Sequence, residues 1–288
     1  IAAAYGMGLQ GWDASYEFQS VSNHPAESVG NTPFGVWNAD LPTQIGQYPI
    51  LARMVARGDV KESPVISTRR ISPQNLAEGN FDFNDSVKLN GDVKVFSGPE
   101  ILAAGRAVVE FTNENQASTL PSVAGFEKSG VITSTTGQLA WDGANGVVTV
   151  NTAGTQGMVG FAQDREMALG DLKVTSHVPY ASILVTATEK SDTLATAKTV
   201  LVSAVARNAN NGFRVLTIDH KTILDNGHAP IMLEPVSAEV TFNARKIKQV
   251  KILDHDGNAT DRTAAATEKS FTIEGKKDHA IYYLVVLQ

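Results

Sequence analysis

Residues 137–161 read GQLAWDGANGVVTVNTAGTQGMVGF, and this stretch decides the fold class. The runs QLAWD and GVVTVNT are short and rich in β-branched and aromatic residues, the composition that suits a pleated, half-buried surface. Between them lies Asn145-Gly146. Both residue types tolerate positive φ, so the pair predicts a β-hairpin. The same grammar continues outward to the C-terminus. VITST, QGMVGFA, LKVTS, YASILVTAT, KTVLVSAVARN, FRVLTID, PIMLEP, SAEVTFN, KIKQVKILD, KSFTIEG and AIYYLVVLQ follow one another, separated by turn residues. About a dozen strands at this spacing predict an antiparallel sandwich. One large sandwich fits, and so does one sandwich plus a small terminal one after about Pro235.

Upstream the grammar differs. Residues 1–10 predict a helix: Ile1, Ala4, Tyr5, Gly8 and Leu9 repeat at helical spacing, and Gly11 stands where a C-cap glycine belongs. Residues 12–20, WDASYEFQS, alternate and are aromatic-rich, which predicts a strand. A Gly-, Pro- and Asn-rich loop follows. A helix is expected from about Leu41 to Arg57, with Asp40 as N-cap, a kink at Pro49 and Gly58 as its stop. Residues 70–99 read as a polar connection. Residues 101–112, ILAAGRAVVEFT, read as a short helix or as a helix running into a strand. The expected fold class is therefore α+β multidomain and mostly β. The expected divisions are 1–64, 65–235 and 236–288.

Bulk composition sets limits. The chain has 288 residues, 42% hydrophobic and 19% charged, an ordinary globular mix. A net charge of -6 and no clustered Lys or Arg argue against nucleic acid as a partner. The absence of cysteine excludes disulfides and thiolate zinc sites. No apolar run is long enough to span a bilayer. The opening, IAAAYGMGLQGWD, has no signal-peptide pattern and reads as the middle of a longer protein, with a mature N-terminus left by cleavage as the alternative. Other motifs are missing or misplaced. Gly6-Met-Gly8 follows no strand, the six histidines form no H-E-x-x-H pair, and no G-x-S-x-G elbow occurs. Asp254-His-Asp-Gly-Asn258 lacks the later Glu of a calcium loop, so it is expected to be a turn between KQVKIL and SFTI. No metal or cofactor is expected.

The runs AAAYGMGLQGWDASYEF and NADLPTQIGQYPILARMVARGDVK resemble the end of a (β/α)8 (TIM) barrel of the clan A glycoside hydrolases. The likeness is to bacterial enzymes related to family 42-type β-galactosidases and to agar-degrading glycosidases. Its motifs are the Gln-x-Trp-Asp turn and Arg53-Met-Val-Ala-Arg57-Gly58-Asp59-Val60. Residues 137–161 resemble the β-domain that follows such barrels. The resemblance covers most of residues 1–60 and 130–250. It implies that the last βα elements of a TIM barrel precede antiparallel β-sandwich domains. It also implies that both catalytic glutamates precede Ile1, on an N-terminal barrel segment carried by another chain or fragment. The implied protein is a secreted, periplasmic or cell-surface bacterial retaining glycosidase acting on a β-linked, galactan-like or other plant or algal polysaccharide. Such chemistry needs two carboxyls about 5–5.5 Å apart. The alternative is a non-catalytic carbohydrate-binding or surface protein of sandwich type, with Trp141 as its stacking candidate and packing under its own hairpin as the plain reading of that residue.

Barrel sites form at the C-terminal ends of strands and in the loops that follow. That places Phe18, Tyr16 and Trp12 as candidates to stack on sugar rings, with packing between strand and helix as the plain alternative. Trp37, Asn38 and His24 are the loop candidates for walling a subsite or bonding hydroxyls. Glu17 lies among aromatics, where desolvation raises a carboxyl pKa. It is a weak candidate for catalysis, and also for ligand binding or for pairing with an arginine outside the barrel.

Overall fold

A computed structural model describes residues 1–16, 41–79, 84–88, 91–95, 98–218, 222–225 and 227–288. The helices near the start are α1 (Ala2–Leu9), α2 (Pro42–Ile45) and α3 (Tyr48–Arg57). Then come β1 (Val65–Ile71), α4 (Pro73–Glu78), β2 (Asn84–Lys88), β3 (Gly91–Val95), α5 (Pro99–Ala104) and β4 (Arg106–Phe111). Short strands follow: β5 (Glu127–Lys128), β6 (Val131–Thr133), β7 (Leu139–Asp142), β8 (Val147–Asn151) and β9 (Thr155–Gly160). Next are β10 (Glu166–Ala168), β11 (Leu172–Ser176), β12 (Ala181–Ala187), β13 (Thr199–Val205), β14 (Asn208–Asn211) and β15 (Arg214–Val215). The chain ends with β16 (Ile223–Asp225), β17 (His228–Leu233), β18 (Ser237–Phe242), β19 (Ile247–Leu253), β20 (Ala259–Thr263), β21 (Ser270–Glu274), α6 (Gly275–Asp278) and β22 (Tyr282–Leu287). The protein is mostly β, and its larger sheets are antiparallel.

Two compact units divide the chain: residues 1–15 with 58–150, and residues 16–57 with 151–288. In the first unit, α1 is a π-helix closed by Gly11 at φ 69°. Gln10 fixes its end. Its Nε2 donates to the carbonyls of Leu102 (2.8 Å) and Gly105 (2.7 Å), and its Oε1 accepts from Ala107 N (3.0 Å). β1 and β4 pair in parallel, Thr68 opposite Val108, with α4 and α5 in the connection between them. Ser72 and Asn75 close a capping box on α4. β5 to β8 form an antiparallel meander in which Trp141 lies opposite Ile132 and Val148.

In the second unit, β20-β19-β22-β13-β12-β9 form one antiparallel sheet and β10-β11-β18-β21 another. All seven residues of β12 are buried. Alternation across the pleat explains this. Leu184 and Leu201 pack with Ile50 of α3, so Ile183, Val185, Val200 and Val202 are turned to the opposite face. There Phe271 of β21 meets Tyr283 of β22 at a ring-centroid distance of 6.1 Å. The layers are thus helix, sheet, sheet. β18 and β21, from the stretch after residue 235, share their sheet with β11.

Several sequence expectations change. Residues 12–16 contain no strand, because Trp12 N donates to Gly6 O (3.0 Å) and turns the chain back over α1. Residues 17–20 lie outside the described residues. The expected helix over 41–57 breaks at Gly46 and Gln47 rather than at Pro49. Ser203 Oγ donates to Gly46 O (2.8 Å), and Pro49 sits harmlessly in the first turn of α3. Leu41 occupies the N-cap of α2 without a side-chain bond, while Asp40 lies outside the described residues. The polar connection of residues 70–99 contains α4, β2, β3 and the start of α5, and ILAAGRAVVEFT is a helix running into a strand. Asp256-Gly257 turns β19 into β20, not into β21. Asp254 organises that turn by accepting from Asn258 N (2.7 Å) and Asp256 N (3.0 Å), which holds its carboxyl below the usual range.

One buried polar pair locks the end of the second unit. Tyr283 Oη donates to Asp278 Oδ2 (2.9 Å), which also accepts from Glu274 N (3.1 Å). Burial holds the Tyr283 phenol far above its ordinary pKa, so it remains a donor. Tyr283→Phe strips a bond from a carboxylate that is 3% exposed. A stability loss of about 1–3 kcal/mol is expected in urea unfolding.

Candidate functional site

The first unit carries a cleft of about 470 Å³ lined by Ile1, Tyr5, Gln10, Trp12, Leu102 and Trp141, among others. α1 supplies one wall, α5 and β7 supply the others, and glycines let the wall close up. A Cβ on Gly6 would lie 2.4 Å from Trp12 Cε3, and one on Gly8 would lie 2.6 Å from Val60 Cβ. The Gly6, Gly8 and Gly11 spacing is therefore a packing device: two close approaches and one positive φ. Trp12 is held by this contact, yet it is 54% exposed. Its ring has a fixed base and an accessible surface.

The polar chemistry of the cleft is sparse. The Gln10 amide is already engaged with Leu102, Gly105 and Ala107. The Tyr5 hydroxyl is buried and bonds to no group among the described residues, and desolvation pushes its pKa well up. No aspartate or glutamate lines the cleft among the described residues. The arrangement can hold an apolar face or stack a ring.

The structure thus brings together Trp12 and Trp141, the stacking candidates of the two competing functional readings. Tyr16 is 91% exposed. Glu17, Phe18, His24, Trp37 and Asn38 lie outside the described residues. Sequence reasoning missed Tyr5 and Leu102. Their only signal was apolar spacing within a helix, which does not separate core from cleft. No group of three His, Cys, Asp or Glu among the described residues is placed to hold a metal ion, and no described helix is long and apolar enough to cross a membrane.

Substituting Gly6→Ala should push the Trp12 ring out of its seat, since an added methyl meets ring carbon well inside contact distance. The expected readout is greater quenching of tryptophan fluorescence by acrylamide, with stability lowered by about 1–3 kcal/mol. An unchanged quenching constant would show that Trp12 does not rest on Gly6.

No protein-family model matches the chain, and no curated protein matches it significantly.

Proposed function

We propose that this chain is the C-terminal portion of a secreted retaining glycoside hydrolase. Its substrate is a β-linked, galactan-like or other plant or algal polysaccharide. In this reading α1, α2 and α3 are late helices of a (β/α)8 barrel, the antiparallel sheets are accessory domains, and the catalytic glutamates belong to a segment outside these 288 residues. The sequence resemblance motivates the reading. The observation that supports it best is the aromatic cleft, with Trp12 and Trp141 on its walls. The orphaned Tyr5 hydroxyl fits as well. Such a group in a buried position calls for a partner, and a preceding barrel element would bring one.

A second reading, a non-catalytic carbohydrate-binding protein, draws on a different observation. α3 packs on β12 and β13 within the second unit, so that helix finds its apolar partners inside the chain. Hydrolysis separates the two. The protein isolated from its producing organism is expected to release reducing ends from a neutral β-galactan, with the anomeric configuration retained by proton NMR, while the 288-residue chain alone releases none. Binding of the polysaccharide without any hydrolysis by the isolated protein would leave the second reading standing.

A further inference from the structure

The second unit contains another cleft, of about 430 Å³, within the size range of small-ligand sites. α2 and the turn after it form one side; β12, β13 and the start of β14 form the other. Its lining includes Thr43, Gln44, Gln47, Tyr180, Arg207 and Asn208. We propose that this cleft is a subsite for a neutral saccharide, one sugar ring lying against Tyr180 with a hydroxyl bonded to Asn208 Nδ2. The proposal rests on the polysaccharide reading above and adds to it a place and a ligand charge.

The polar groups are pre-set. Ser182 Oγ donates to Gln47 Oε1 (2.8 Å), and Gln47 Nε2 donates to Thr43 O (2.8 Å), so Gln47 is a fixed part of the wall. Thr43 Oγ1 donates to Asn208 Oδ1 (2.5 Å). That bond turns the Asn208 amide so that Nδ2 is the group left over. Among the described residues, neither Asn208 Nδ2 nor Tyr180 Oη has a hydrogen-bond partner within the chain. Phe161 meets the Tyr180 ring edge-on, at a centroid distance of 5.1 Å and 60°, and steadies it.

Charge decides the ligand class. Among the described residues Arg207 is the cation in the lining, and one edge of its guanidinium is engaged: Nε and Nη2 donate to the two oxygens of Glu234 (2.7 and 2.8 Å). The same contact holds the Glu234 carboxyl below its usual range. A phosphate or sulfate would compete with that carboxylate for the guanidinium. A cation finds no carboxylate in the lining among the described residues. An apolar molecule would desolvate the Asn208 amide without replacing its bonds. A sugar meets each requirement: its CH face covers the aromatic ring, and its hydroxyls both donate and accept.

The test is isothermal titration of the 288-residue chain with two neutral probes, β-1,4-galactotetraose and neoagarotetraose, and with a sulfated galacto-tetrasaccharide. Binding of at least one neutral probe is expected. Tyr180→Ala should weaken it about tenfold or more. Tyr180→Phe, which keeps the ring, should change it by less than about threefold, and Asn208→Ala should weaken it about fivefold. Melting curves confirm that each variant is folded. No binding of either neutral probe overturns the proposal. So does preference for the sulfated probe, or a folded Tyr180→Ala chain that binds as wild type. Those outcomes leave the glycosidase reading intact, because its readout is hydrolysis by the protein from its source.

Discussion

Gly157→Ala is expected to unfold the second unit at a much lower urea concentration, with a loss of about 4 kcal/mol or more. Gly157 lies in β9 directly opposite Leu184 of β12. A Cβ there would stand 2.1 Å from Ile183 O and 2.8 Å from Leu184 Cα. Both are backbone atoms of a central strand, so no side chain can swing aside. The strands would have to separate, losing ladder bonds worth about 0.5–1.5 kcal/mol each and opening a core that includes Ile183 and Val185. The φ of 158° adds strain for any L side chain. Set against a typical total of about 5–15 kcal/mol, the loss is severe. Gly125→Ala, with nothing within 4 Å of its added carbon, is the control and should stay within about 0.5 kcal/mol of wild type.

The second large effect belongs to Arg57, at the C-terminal end of α3. Its Nη1 donates to Ala187 O (2.9 Å), and its Nη2 donates to Gly154 O (2.9 Å), Thr186 Oγ1 (2.6 Å) and Thr155 Oγ1 (3.2 Å). Thr155 and Thr186 are fully buried. One guanidinium thus ties the helix to the ends of β9 and β12 while satisfying acceptors that water cannot reach. Arg57→Met keeps most of the stem and removes every donor. Bonds from a charged donor are worth about 1.5–3 kcal/mol each, and they do not add fully, so a loss of about 3–4 kcal/mol is expected. Arg57→Lys should recover less than half of it, because a point charge cannot reproduce the planar fork. Equal stability of the Lys variant and wild type would show that charge alone matters.

These two residues also show what could be read in advance. Arg57 was visible as part of Arg-x-x-x-Arg-Gly-Asp-Val, but the motif gave no hint of its partners, which lie about 100 residues or more along the chain. The strands after residue 130 were legible because alternation is local: β11 and β18 bury every second residue. β1 was not legible. Its VISTRRI carries two arginines that mask the strand pattern, and only the fold reveals that Arg70 pairs with Glu110 of β4 (3.0 Å) and that Arg69 is buried. For the sites, an aromatic such as Trp12 or Trp141 stands out in a sequence. Their meeting in one cleft is a long-range fact. Thr43, Gln44 and Asn208 carried no signal at all, since polar residues in turns look alike until a sheet gathers them.

Native mass spectrometry of the protein purified from its producing organism, followed by denaturing mass spectrometry of the same sample, tests the central claim most directly. The glycosidase account expects this chain within a larger covalent or non-covalent unit, whose additional segment contributes a pair of barrel glutamates. A folded monomer with the mass of these 288 residues alone would contradict it.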